Sequence, residues 1–195
     1  MPEEKLDLRV RKTRRAITEA MLELMYEEGF EAVTIKQILD RAEVNRSTFY
    51  AHYRDKYDLR DKIEQQLLDE FADAAEAGMS AAFEQGTPDA SAFPAHIDAM
   101  LRHLQANARP WAHLLGPDGD MAFQAKLAEA ARRVWADTGL LARLSLPETY
   151  VFAGMSGLLS SVLAEWARSG FDEREREGVA RTLAALMPDP EALVG

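Results

Sequence analysis

No cysteine occurs among the 195 residues, which rules out disulfides and thiolate metal sites. Long apolar runs are missing as well. The longest uncharged stretch, Thr149 to Ala164, is shorter than the ~20 apolar residues a membrane span needs, and Gly154, Ser156, Gly157, Ser160 and Ser161 break it. The opening residues Met1-Pro2-Glu3-Glu4-Lys5 hold no apolar h-region, so no signal peptide and no membrane association are expected, and the expected location is the cytoplasm. There is no nucleophile elbow, P-loop or GxGxxG fingerprint, and the chain is expected not to be an enzyme. His96 and His103 share a helix face and His113 follows a turn, but H-E-x-x-H spacing is absent and Asp98 falls on another face. No metal and no cofactor are expected. Nothing in the order of elements reads as a series of strands, so the fold class is all-α, with about nine or ten helices.

What is present begins with an apolar content of 47%, enough for a sizeable core. The net charge of −10 is unevenly placed. Up to Arg60 the chain carries 12 basic and 12 acidic residues, so the whole acidic excess lies beyond. Within that first segment the bases gather at Arg9, Arg11, Lys12, Arg14 and Arg15 and again at Arg46, Arg54 and Lys56, and the acids at Glu19, Glu23, Glu27, Glu28 and Glu31. A basic edge on such a head, with an acidic body behind it, offers only the head to a polyanion; Arg9 to Arg15 also reads as a solvated helix start.

The chain is organised around Thr34 to Tyr53. Ile35, Ile38, Leu39 and Ala42 fall at helical spacing, with Thr34 placed to cap them. After a tight corner at Glu43-Val44, Asn45 opens another helix at once. Helices joined by so few residues cross steeply, with Ile38, Val44 and Phe49 forming the small core between them and Arg46, Ser47, Thr48 and Tyr50 facing outward. A helix of this size fits the major groove of B-DNA, where Arg pairs with guanine and Ser or Thr reaches base edges or phosphates.

The run T-I-K-Q-I-L-D-R-A-E-V-N-R-S-T-F-Y-A-H-Y-R-D-K-Y-D-L resembles the helix-turn-helix signature of the TetR/AcrR family of bacterial transcriptional regulators, over roughly the first third of the chain. The resemblance implies a three-helix DNA-binding domain over residues 1–54 and a helical bundle over 55–195 that binds ligand and dimerises. It implies DNA contacts or their support from Thr34, Lys36, Asn45, Arg46, Ser47, Thr48, Tyr50, His52, Tyr53 and Lys56, with Lys56 on a phosphate at the start of a long fourth helix capped by Asp55. Glu43 departs from the pattern. The family often has Gly there, and a non-Gly residue at φ > 0 is mildly strained.

Helix 1 is expected from about Leu8 or Val10 to Glu28, with Ile17, Ala20, Met21, Leu24 and Met25 as its apolar stripe and Gly29 as its stop. Leu59, Ile63, Leu67, Phe71 and Ala75 mark the inward face of helix 4. Gln85 to Pro94 reads as a linker, Asn107 to Leu115 as a short helix interrupted at Arg109-Pro110, and Gly116 to Asp120 as a turn. Met100, His103, Leu104, Trp111, Phe123, Trp135 and Met155 are core types that, under the resemblance, surround a pocket for a small hydrophobic effector. The helix from Pro147 to about Arg168 is apolar over most of its circumference, so it is expected to be buried on more than one side. The resemblance pairs it and the last helix, about Glu173 to Met187, with their copies in a homodimer, through Gly157, Ser161, Trp166, Val179 and Leu183. The expected function is sequence-specific binding of a double-stranded, palindromic operator by a repressor that an effector releases. The alternative is a helical ligand-binding or adaptor protein that uses the head for protein contacts.

Overall fold

A computed structural model describes residues 2–82, 93–116, 121–137 and 145–186. Among the described residues there are nine α-helices and no strand. None is long and apolar enough to cross a membrane. Most of the expected linker, Pro117 to Asp120 of the expected turn, Met187 and the Trp135 side chain lie outside what is described.

The chain divides into two compact units, Met1–Gln66 and Leu67–Gly195, here the head and the body. In the head, α1 (Pro2–Glu28) starts earlier than the apolar stripe suggests, since Pro2 suits a first helical turn and acids follow it directly. Ile17, Ala20, Met21, Leu24 and Met25 are buried, and Gly29, at φ 78°, ends the helix with its N–H on the Met25 carbonyl. α2 (Ile35–Ala42) packs on α1, and α3 (Arg46–Tyr50) follows a three-residue corner. α4 (Lys56–Ala82) opens with the Asp58 N–H on the Asp55 carboxylate. The division falls inside α4 because its first turns pack on the head: Leu59 and Ile63 are buried, and Tyr57 meets the Phe30 ring edge-on at 5.3 Å.

The body contains the rest of α4 with α5 (Phe93–Ala106), α6 (Ala108–Leu115), α7 (Met121–Asp137), α8 (Glu148–Arg168) and α9 (Arg176–Leu186). Pro110 does not interrupt α6; it stands in the first turn, where no intrahelical N–H is required. α8 is the hub, packing on α6, α7 and α9, while α5 packs on α9. Its apolar circumference thus has neighbours on three sides. Between α8 and α9, Gly170 and Phe171 take left-handed backbone in succession, at φ 68° and 60°. An aromatic residue is rarely held there. Phe171 stays because its ring packs edge-on against Trp166 at 4.8 Å, its N–H reaches the Trp166 carbonyl and its own carbonyl accepts the Gln105 side-chain amide.

Candidate nucleic-acid interface

Neither α2 nor α3 is long enough to persist alone, so the head fixes them from outside. Thr34 caps α2 reciprocally with Gln37: the Gln37 N–H donates to the Thr34 hydroxyl, and the Gln37 Oε1 accepts the Thr34 N–H at 2.8 Å. Gln37 then donates to Glu28 of α1 at 2.8 Å. Arg41 closes the other end of α2 with a two-pronged pair to Glu27, both contacts 2.8 Å, and a longer one to Glu23. That hydrogen bonding lowers the Glu27 carboxyl and raises the Arg41 guanidinium relative to their ordinary values. The corner is made by Glu43 at φ 53°, so the glycine-favoured position is real and occupied by a side chain that strains it.

α3 is held from behind and capped from the front. Phe49 is wholly buried beneath it together with Ile38, whereas Val44 is only half-buried. Asn45 caps the helix, its Oδ1 accepting the Thr48 N–H at 2.8 Å and both the Ser47 and Thr48 hydroxyls at 2.7 and 2.9 Å. Three donors on one carbonyl oxygen exceed its two lone pairs, so either hydroxyl can turn to another acceptor without leaving Asn45 unsatisfied. Arg46, Ser47 and Tyr50 are exposed and Thr48 is half-buried. Arg46 and the exposed Lys36 have no hydrogen bond or ion pair among the described residues. Thr34 is exposed as well.

Three of the expected backbone contacts have other duties. The Lys56 ammonium donates to the carbonyls of Phe30, Glu31 and Val33 at 3.1, 3.0 and 3.0 Å and lies over the Phe30 ring. All three of its N–H groups are engaged, so it tethers the α1–α2 loop to α4. Tyr53 is buried against Phe49 and supports α3 from below. His52 is half-buried, and its carbonyl accepts the Lys62 ammonium at 2.9 Å. Gln37, Arg41 and Lys62 were not among the expected residues. The T-x-x-Q capping pattern at Thr34 was a usable signal for the first, whereas the other two act on partners distant in sequence.

The geometry is that of a helix-turn-helix with an open outer face. A model of bacterial regulatory proteins of the tetR family matches residues 17–63. Over these residues the chain is similar to the TetR family. Over 72 residues it is 33% identical to the uncharacterized HTH-type transcriptional regulator YxbF of Bacillus subtilis (strain 168), a stretch that spans 36% of this chain and 19% of that relative. The fold extends over the full length: a TetR transcriptional regulator from Streptococcus agalactiae 2603V superposes with a TM-score of 0.63 at 21% identity, covering 96% of this chain and 99% of that one. The fatty acid degradation regulator FadR of Bacillus halodurans gives 0.68 at 15% identity, covering 90% and 94%.

In the body, most of the residues expected around a pocket are buried. Met100, Leu104, Trp111, Phe123 and Met155 are buried, with the Trp111 ring 6.0 Å from Phe71 and 5.6 Å from Phe123. Two polar atoms there have no hydrogen-bond partner among the described residues, the Trp111 Nε1 and the Nε2 of half-buried His103. His96 is buried, and burial lowers its pKa from the usual imidazole value. An open groove of about 780 Å³ runs along α8 and α9, lined by Ser161, Val162, Glu165, Arg168, Gly178 and Thr182 among others. Of the expected dimer residues, Gly157 and Ser161 are exposed and Val179 half-buried on this side of the body. Trp166 and Leu183 are not available to a partner: both are buried within the single chain, and the Trp166 indole N–H is tied to the Asp172 carbonyl at 3.0 Å.

Proposed function

We propose that this protein is a cytoplasmic homodimeric repressor of the TetR family that binds a near-palindromic DNA operator and leaves it when a small molecule occupies the body. The reading rests on one observation: α3 is capped by Asn45 and anchored by Phe49, and it presents an unpaired Arg46 with Ser47, Thr48 and Tyr50 beside it. Arg46 is assigned to a guanine edge in the major groove; Ser47 and Thr48 turn their hydroxyls from Asn45 to base edges or adjacent phosphates. Thr34, Lys36 and Tyr50 face the backbone, and Asn45, His52, Tyr53 and Lys56 hold the reading helix in place. Two heads in a dimer would meet half-sites roughly 34–36 Å apart, or a multiple of that.

The exposed small residues of α8, Gly154, Gly157 and Ser161, and Gly178 of α9 allow the close helix approach a dimer face needs, which favours pairing through this side of the body. The buried Trp111 N–H without an acceptor favours an effector that is largely apolar and offers one oxygen, because an unsatisfied buried donor costs about 1–3 kcal/mol. Occupation would favour one body arrangement over another and so shift the head spacing. The test is selection of duplexes from a randomised pool by the full chain, with the mass of the free protein in solution measured alongside. Enrichment of a two-fold symmetric sequence by a species of twice the chain mass is the expected result; a monomer, or a pool without enrichment, contradicts it.

A further inference from the structure

From Leu8 to Thr18 the chain holds Arg9, Arg11, Lys12, Arg14 and Arg15 and no carboxylate. α1 begins at Pro2, yet among the described side chains none is buried before Ile17. The fifteen residues ahead of Ile17 make roughly 22 Å of helix at 1.5 Å per residue. The family match begins at residue 17, after this stretch.

Like charges three and four apart on a helix repel, and Arg11 faces both Arg14 and Arg15 in this way. One of the five is neutralised: Arg15 pairs with Glu19 at 2.7 Å. Arg9, Arg11, Lys12 and Arg14 are exposed and have no ion pair or hydrogen bond among the described residues. The contrast with the rest of the head is sharp. Arg41 is committed to Glu27, Arg54 and Lys62 to Asp58, Arg60 to Glu64, and Lys56 to three carbonyls. Apart from Lys36 and Arg46, the cations left for a polyanion among the described side chains of the head are those four.

We propose that the basic stretch of α1 from Arg9 to Arg14 is a second DNA-contacting surface, which grips phosphates beside the groove that α3 reads. This rests on the reading of the chain as a DNA-binding regulator. The helical advance of 100° per residue sets Arg9 and Lys12 on one flank and Arg11 and Arg14 on the other. Cations on two flanks suit phosphates, which are contacted without sequence register, and not a single base edge. An anionic membrane is a poorer fit, because an interfacial helix needs a continuous apolar face and this stretch has only Leu8 and Val10.

The experiment compares the full chain with R9Q/R11Q/K12Q/R14Q on a duplex selected by the unmodified protein and on random duplex, with affinity followed against salt. Each lost phosphate contact makes the slope of log K against log salt shallower by about 0.9, so a total change of roughly 2–4 per head is expected, with tenfold or greater loss on both duplexes at low salt. The melting temperature stays where it was, since none of the four side chains is buried. An unchanged slope and affinity in the variant would overturn the proposal while leaving the helix-turn-helix reading intact. Failure of the unmodified chain to bind any duplex would instead remove the reading on which the proposal rests.

Discussion

In the head, helices of eight and five residues are held by side chains that reach across: Gln37 to Glu28, Arg41 to Glu27, and Lys56 to the carbonyls of the α1–α2 loop. In the body, longer helices are held by buried rings and aliphatics, with Trp111 between Phe71 and Phe123 and Trp166 against Phe171. The difference follows from size. Short helices bury too little to fix their own orientation, so polar tethers and caps set it. Longer helices are placed by packing, and their polar groups are then free to be few. The surface around α3 is therefore held by directional bonds, and the bundle by non-directional ones.

The largest expected effect separates the two regions. Phe49→Ala removes the anchor beneath α3 and should cost about 3–5 kcal/mol. Hydrogen exchange should accelerate over residues 17–66 and stay unchanged over α5 to α9; uniform acceleration would show that the regions do not behave as separate units. The two non-glycine left-handed residues sharpen the contrast. Phe171→Gly relieves backbone strain of about 1–2 kcal/mol but gives up a fully packed ring worth about 3–5, so a net loss of about 2 kcal/mol is expected in chemical denaturation. Lys56→Met should lower head stability by about 1–3 kcal/mol while leaving the salt slope of DNA binding unaltered. A slope shallower by about 0.9 would return Lys56 to the phosphates.

Glu43→Gly is the opposite of the Phe171 change: with an exposed side chain and nothing packed to lose, it should stabilise by about 0.5–1 kcal/mol. Acid acts on the regions in sequence. Burial puts the folded His96 below its usual 6.5, so the unfolded chain takes up that proton first, and the body's stability declines as pH falls from about 6.5 toward the depressed value. In the head, Asp58 is held below the ordinary carboxylate value by the Arg54 N–H and then by Lys62. Its contribution is complete above about 4 and is lost only as pH falls through the lowered value. A pH series of region-resolved exchange should show the body loosening before the head.

Much of the head was legible because its signals are local. Thr34 and Asn45 stand immediately ahead of the helices they cap, Gly29 stands at the end of α1, and the spacing of Ile35, Ile38 and Leu39 fixes the inner face. The resemblance puts Lys56 on a phosphate; its acceptors in the folded chain are backbone carbonyls, which carry no residue identity and leave no trace in a sequence. In the body the ambiguity is physical. Trp111 and Phe123 are the side chains that line an apolar pocket and also those that fill a core. α8 is apolar nearly all round, so periodicity could not tell that Trp166 faces inward while Gly157 and Ser161 face out. Leu183 posed the same problem on α9.

The outward face of α3 carries the account, and Arg46→Ala tests it most directly when affinity is measured for both a selected duplex and random duplex at one salt concentration. The prediction is a loss of discrimination worth about 1–3 kcal/mol on the selected sequence, with affinity for random DNA little changed. Equal losses on both duplexes would make Arg46 a phosphate contact and contradict the assignment of α3 as the reading helix.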